Sequence, residues 1–444
     1  MEQIMLDIQS LFAFHNPWWL GGKVPEELNL PFHRPVFDNI FRYLELDRII
    51  ILKGPRRTGK STLMFQIINK LLQNGIEANR IFYLPFDDPD LSAPFIDIFL
   101  EYEKFLGREV SQLPVVYCLF DEIQHLENWS AHLKKYYDKK WPIKFLVSGS
   151  SASLMKHDAE SLAGRTIEEI ILPFSFAEFL DYHLEQKDAA LLNELKNSFN
   201  LLSPKIPLRL NLIEKKIAIL FEKYLTIGGF PGLFNIEEPT LRKKLLQEDI
   251  IEKVIYRDLV IRYGIKKPEI LEKLFLYCIN QSSDILNVSS LANSLKLSRE
   301  ATQDYIRYLV EAFLVMISPK FALSVETTIR ANPKLYVLDA GFLQVFSNIA
   351  IGRRIESITA RHLYSYHPSY YRNRGEVDFV LRLENQVLPI EVKYRNNIRK
   401  QDLTGLKLLA RKTAFKKAIM LTKNLQDSQG NIDFIPVHLF LAMI

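Results

Sequence analysis

Residues 54–61 read Gly-Pro-Arg-Arg-Thr-Gly-Lys-Ser, a complete G-x-x-x-x-G-K-[ST] loop set between the apolar run Ile49-Ile50-Ile51-Leu52 and a helix-like stretch from Ser61 to Leu72. A strand, a glycine-rich turn and a helix in this order make a phosphate loop. Gly54 and Gly59 let the backbone curl so that its N–H groups face phosphate oxygens, Lys60 reaches the β and γ phosphates, and the Ser61 hydroxyl ligates magnesium. The whole segment Gly54, Pro55, Arg56, Arg57, Thr58, Gly59, Lys60, Ser61 and Thr62 is therefore the expected ATP-binding element, with Mg2+ as its companion ion.

Further apolar runs follow at regular spacing: RIFYL at 80–84, VVYCLF at 115–120 and KFLVS at 144–148, with helix-like segments between them. This alternation predicts an α/β fold with a parallel sheet covered by helices and ligands gathered at the carboxyl ends of the strands. Asp121-Glu122 directly follows the second run, as a Walker B pair would. Asp121 is expected to help hold magnesium, and Glu122 to polarise the water that attacks the γ phosphate. Read alone, the pair is also a good helix cap; downstream of a phosphate loop the catalytic reading leads. Ser148, in Ser148-Gly149-Ser150-Ser151, ends the next strand, where its hydroxyl can touch the γ phosphate or the attacking water, with a plain Gly/Ser turn as the alternative. Arg165 is a candidate source of positive charge for the transition state, in its own subunit or a neighbour's.

At 444 residues the chain exceeds one ordinary core. Its formal charge of +5 is mild, but residues 351–444 hold 16 Lys and Arg against 8 Asp and Glu, a local +8 that leaves −3 for the rest. The positive field sits at the C-terminal end. The two cysteines, Cys118 and Cys278, offer no disulfide framework, and the sequence shows no signal peptide and no apolar run long enough for a membrane helix. A soluble, cytoplasmic protein is expected.

The order of motifs is similar to that of a widespread group of bacterial and archaeal AAA-type ATP-binding proteins. It includes Asn16-Pro17-Trp18-Trp19, GPRRTGKST at 54–62, LFDEIQHLENW at 119–129, VSGSSASLM at 147–155 and SLAGRTIEEIILPFSFAEFL at 161–180. It continues with Gly228-Gly229-Phe230-Pro231, YRDLVIRYGI at 256–265 and YVLDAGF at 336–342. The resemblance implies an ASCE-type P-loop ATPase with Lys60, Ser61, Asp121 and Glu122 at the nucleotide, followed by a winged helix and a C-terminal domain of unknown function. Residues 185–216 look longer than the family pattern and read as an inserted helical lid.

Residues 287–320 carry a helix, a tight turn at Lys296-Leu297, and a second helix capped by Ser298 with Ala301, Tyr305, Leu309 and Phe313 as its apolar positions. In a DNA-reading helix-turn-helix the polar face would present Arg299, Gln303, Asp304 and Arg307. A protein-contact module is the alternative. EVDFVLRL at 376–383 and PIEVKY at 389–394 alternate as strands, and pairing them brings Asp378, Glu391 and Lys393 to one surface. This is the D…(D/E)-x-K arrangement of restriction-endonuclease-like folds. There Asp378 and Glu391 would bind a metal, Lys393 would assist cleavage, and Glu356 matches an additional acidic ligand. A hairpin with a solvated charged face is the plainer reading.

The expected division is a P-loop AAA-like domain over 1–180, a helical lid or arm over 181–284, a winged helix-turn-helix over 285–335 and a restriction-endonuclease-like α/β domain over 336–444. The expected function is magnesium-dependent ATP hydrolysis coupled to a nuclease-like domain on nucleic acid, DNA before RNA, with no membrane partner and a possible homo-oligomer. The alternative is an ATP-driven switch whose later domains are non-catalytic contacts.

Overall fold

The run of β-branched residues after Arg48 forms strand β1 (Ile49–Gly54), buried along its length. Its side chains alternate between two cores: Ile49 and Ile51 pack on one face with Phe82, Phe120 and Phe145, while Ile50 and Leu52 pack on the other with Leu63, Met64 and Ile67. The other strands of this sheet are β2 (Ile81–Pro85), β3 (Val116–Asp121), β4 (Ile143–Ser150) and β5 (Thr166–Ile170), in the order β2-β3-β4-β1-β5 and all parallel. The computed structural model describes residues 8–150, 162–384 and 386–444. Ser151 and most of the VSGSSASLM motif lie outside the described residues.

β2 is an edge strand, and Asn16-Pro17-Trp18-Trp19 is its cover. Asn16 donates through Nδ2 to Tyr83 O at 2.9 Å and accepts from Tyr83 N at 2.7 Å, while the indole N–H groups of Trp18 and Trp19 both donate to Ile81 O, at 3.0 and 2.9 Å. An edge that would otherwise offer open backbone groups is thus paired by side chains.

The chain gathers into two compact units: one runs to Leu172 and includes Ile261–Gly264, and the other comprises Pro173–Val260 and Ile265–Ile444. The sequence reading divides the chain in four with its first boundary at 180, while the compact units number two and part at Leu172. Residues 173–180 join the second unit because helix Phe176–His183, capped by Ser175 and Glu178, buries Phe176 and Phe179 among Phe221, Tyr224 and Phe234. His362 adds a bond between distant segments: its Nε2 accepts from Phe176 N at 2.7 Å while Nδ1–H donates to Ile358 O at 2.8 Å. The Gly228-Gly229 turn and YVLDAGF meet in this unit too, since Asp339 accepts from Gly229 N at 2.7 Å and from Gly341 N at 2.8 Å.

The expected lid is helical at Gln186–Ser198, and it packs inside the second unit, where Phe199 meets Phe440 of the last helix (Val437–Met443). Helices Val288–Leu295 and Arg299–Glu311 flank a left-handed Lys296, with Ser298 accepting from Ala301 N at 3.1 Å. The buried face of the second helix is Thr302, Ile306 and Leu309, one residue out of phase with the expected Ala301 and Tyr305. A strict four-residue repeat drifts off a 3.6-residue helix, whereas 302, 306 and 309 stay on one side. An antiparallel hairpin follows, β6 (Val315–Ser318) with β7 (Lys334–Val337).

Helix Ile351–His362 then leads into a mixed sheet: β8 (Ser369–Arg372), β9 (Glu376–Leu383), β10 (Gln386–Lys393), β11 (Ala418–Thr422), β12 (Asp427–Gln429) and β13 (Ile432–Pro436), in the order β12-β13-β11-β10-β9-β8. β9 is antiparallel to both β8 and β10, and β11 lies parallel to β10 across helix Thr404–Ala410. Among the described residues no helix is long and apolar enough to cross a membrane.

Candidate functional site

At the carboxyl end of β1 the chain needs two glycines for different reasons. A Cβ on Gly54 would stand 2.2 Å from Ile171 O, and Gly59 has φ +92°, a conformation that side chains rarely adopt. Helix Lys60–Gln73 starts directly after it, so the loop amides and the helix N-terminus open to the same space. Lys60 Nζ donates to Gly54 O at 3.0 Å and Pro55 O at 2.9 Å, and Thr58 Oγ1 donates to Pro55 O at 2.9 Å. The loop is braced from outside by buried Arg34, whose Nη1 donates to Thr58 O at 3.0 Å.

The strand order decides what meets this loop. β4 lies between β1 and β3, so Ser148 on β4 stands between the phosphate loop and the acidic strand. Asp121, at the end of β3 and only 4% exposed, receives three hydroxyls: Ser61 at 2.5 Å, Tyr83 at 3.2 Å, and Ser148. Burial and the Asp121 carboxylate hold the Tyr83 phenol well above its ordinary range, so it donates at neutral pH. Glu122 follows in a left-handed conformation, φ +47°, and accepts from Gln124 Nε2 at 2.5 Å. Lys60, Ser61, Asp121, Glu122 and Ser148 therefore share one end of the sheet. Ser61 and Asp121 offer adjacent hard oxygens, the donor type magnesium takes.

Arg165 is not with them. It precedes β5 at the level of Ile49, since Ile49 N donates to Arg165 O, and its guanidinium is paired with Asp138 at 2.8 Å. In a parallel sheet that is the amino end, about 16 Å from the phosphate loop at 3.3 Å per residue. The expectation that it serves its own nucleotide is corrected by strand direction.

In the second unit, Asp378 and Glu391 do come together, and they are buried rather than solvated, 5% and 3% exposed. Each uses one carboxylate oxygen to replace a backbone acceptor across the β9–β10 pair: Val392 N donates to Asp378 Oδ2 at 2.9 Å and Asp378 N to Glu391 Oε2 at 3.1 Å. Lys393 bonds Glu391 Oε1. Glu356, from helix Ile351–His362, accepts from Tyr336 OH at 2.9 Å. An ammonium that the sequence reading did not anticipate joins them: Lys334 Nζ, on β7, lies 2.9 Å from Glu356 Oε1, 3.2 Å from Asp378 Oδ1, and against Glu376.

Burial and the neighbouring Asp378 outweigh Lys334 in pushing the Glu356 carboxyl up to about 8, and burial with Asp378 likewise lifts Glu391 well above the carboxylate range despite Lys393. Burial opposes the charge on Lys334, but Asp378, Tyr336, Glu356 and Glu376 outweigh it and raise its pKa. Hard oxygens are the right donors for magnesium. With the Lys334 ammonium seated against Glu356, Asp378 and Glu376 their present arrangement does not fit it, and among the described residues no group of three acidic, histidine or cysteine side chains is placed to hold a metal ion.

Comparison with known proteins agrees with the first unit's geometry. Residues 46–180 match the AAA domain family. Residues 219–350 and 352–440 match two domains of unknown function, DUF8612 and DUF4143. Uncharacterized protein MJ1544 of Methanocaldococcus jannaschii is 29% identical over 366 residues, 79% of this chain and 76% of that protein. An uncharacterized protein of Haemophilus influenzae is 25% identical over 418 residues, 90% of this chain and 94% of that one. Among solved structures, the Walker-type ATPase PABY2304 of Pyrococcus abyssi aligns over 73% of this chain and 97% of its own, at 15% identity and a TM-score of 0.42.

The first unit holds three residues that sequence reading missed. Gln124 sits inside the LFDEIQHLENW motif and Tyr83 inside RIFYL, so both were within reach of inspection, but nothing in a strand pattern says that a tyrosine will face an aspartate on the next strand. Arg34 carries no local signal beyond His33-Arg34-Pro35 ahead of a helix.

Proposed function

We propose that the chain is a magnesium-dependent ATPase. The observation that carries this reading is Asp121 receiving the Ser61 and Ser148 hydroxyls beside Lys60, at the open end of a parallel sheet. In this reading the loop amides and Lys60, released from the Gly54 and Pro55 carbonyls, bind the β and γ phosphates. Magnesium, held by Ser61 and by Asp121 with the nucleotide, would neutralise phosphate charge. Glu122 orients a water and takes its proton as the water oxygen bonds to the γ phosphorus and the bridging oxygen leaves, giving ADP and inorganic phosphate. Ser148 positions that water or the γ phosphate. Phosphate release from purified protein with ATP and magnesium tests the reading. If Glu122→Gln releases phosphate as fast as the parent, the assignment of the base is wrong.

The proposal extends to the second unit as a nucleic-acid contact, DNA before RNA. What supports it is the local +8 over residues 351–444, the helix-turn-helix followed by the β6–β7 hairpin as in a winged helix, and an αβββαβ order from Ile351 to Thr422 like that of restriction-endonuclease-like cores. On the second helix Arg307 is bonded to Asp304 and Glu311, which weakens the DNA-reading face and leaves Arg299 and Gln303 as the members of that face outside these ion pairs. Salt-dependent binding of labelled duplex and single strands tests the contact. The alternative without cleavage chemistry is favoured by Lys334 standing among the carboxylates. A homo-oligomer in which Arg165 leaves Asp138 to serve a neighbour's nucleotide is tested by gel filtration with and without ATP. Cytoplasmic location is proposed on two buried free cysteines.

A further inference from the structure

The carboxylates of the second unit have the residue types of a metal site and the neighbours of an internally balanced one. Lys334 belongs to neither strand of the D…(D/E)-x-K pattern. It is delivered from the hairpin: β7 pairs with β6 in the register Ser318↔Lys334, and Ile285 bridges Lys334 on its other side, so its backbone is held between two segments. Its side chain is 3% exposed, passes the Tyr370 ring at 5.9 Å, and ends between Glu356 and Asp378, with Glu376 as a third partner. The remaining oxygens of the pattern are also committed, to Val392 N, Asp378 N and Lys393.

We propose that Lys334 is a resident cation that competes with a divalent metal for Glu356 and Asp378, so that this cluster takes up metal only when the β7 ammonium is withdrawn. The inference rests on the restriction-endonuclease-like reading for the expectation that a metal belongs there. A buried ammonium in contact with two carboxylates and a metal ion cannot occupy the same oxygens, because their charges repel at contact distance in a medium that screens poorly. Lys334 also ties the hairpin to β9 and to helix Ile351–His362. Metal occupancy is therefore coupled to the position of the hairpin.

Mn2+ binding to the nucleotide-free full chain, followed by the loss of the free-ion electron paramagnetic resonance signal, tests this directly. Asp378→Asn serves as the blank that subtracts every other site. Lys334→Met, of similar length and without charge, is expected to bind Mn2+ at the Asp378-dependent site at least about tenfold more tightly than the parent, a change of about 1.4 kcal/mol. Lys334→Met with Asp378→Asn is expected to lose that ion again. Equal affinity in the parent and a folded Lys334→Met, or weaker binding in the variant, overturns the proposal. Circular dichroism reports folding, and Lys334→Gln replaces the methionine if that variant does not fold. Should neither fold, the parent still decides: an ion bound tightly at micromolar Mn2+ and lost in Asp378→Asn refutes competition, and its absence supports it. Failure of duplex binding would instead count against the nucleic-acid reading, and the two results are separable.

Discussion

Asp121 and Asp378 are both nearly buried aspartates on strands of α/β sheets, and they differ in what surrounds them. Asp121 receives hydroxyls from Ser61, Ser148 and Tyr83, neutral donors that leave its negative charge to act on something from outside. Asp378 faces an ammonium from its own chain and a backbone amide. The residue types match a cation site in both cases. Only in the first does the immediate shell leave a cation to be supplied by a ligand, which is why the first unit is proposed as an ATPase while the second unit holds a balanced cluster.

The largest expected effect is in the first unit. Lys60→Ala removes the charge that meets the β and γ phosphates, and hydrolysis should fall by about 10³-fold, measured as phosphate release, with ATP affinity falling too. Glu122→Gln should lower turnover by about 10²- to 10⁴-fold while leaving nucleotide binding nearly intact; lost binding would break the separation of roles between the two residues. Neither should shift the unfolding of the second unit.

In the second unit the effect should be on stability. Lys334→Ala leaves Glu356, Glu376 and Asp378 together without their shared cation, and should cost about 3–5 kcal/mol in denaturant unfolding, unless metal in the buffer replaces the ammonium. A chelator should therefore deepen the loss in the variant and leave the parent unchanged.

A smaller effect concerns pH. Burial, helped by neighbouring Arg361, depresses the His362 pKa from 6.5 to about 3, so the unfolded chain binds a proton there that the folded chain refuses. Stability from this group is complete above pH 6.5 and declines as pH falls toward 3, by up to about 1.4 kcal/mol per pH unit. His438, lowered to about 4 by burial, adds a slope of the same sign. His362→Ala should remove its share of the slope and cost about 1–3 kcal/mol at pH 7.5, since Phe176 N loses its acceptor. Unfolding midpoints at several pH values measure both. Least affected should be Ser298→Ala, which removes one helix cap for about 1 kcal/mol.

Much of the first unit was legible because its information is local. The loop at 54–61, the apolar runs that became β1 to β4, and the Asp121-Glu122 pair are contiguous stretches whose geometry follows from residue type and periodicity. Helix caps at Ser298 and the Asp378–Glu391 pairing were legible for the same reason, the latter because two strands joined by a short turn have few registers. The phase of helix Arg299–Glu311 was read one residue off, because Ala301 and Tyr305 are apolar enough to suggest a buried stripe and Thr302, which is buried, is not.

By itself, then, the sequence determined a nucleotide loop, an alternating parallel sheet and a carboxylate pair on adjacent strands, since each depends on residues close along the chain. Tertiary structure alone decided three things. Parallel strand direction put Arg165 at the end of the sheet away from the loop. Packing of Phe176 and Phe179 moved residues 173–180 out of the first unit. The hairpin brought Lys334 to Asp378 from 44 positions away. Charge balance in a buried site depends on whatever the fold delivers within a few ångströms, and no spacing rule along the chain can foresee that neighbour.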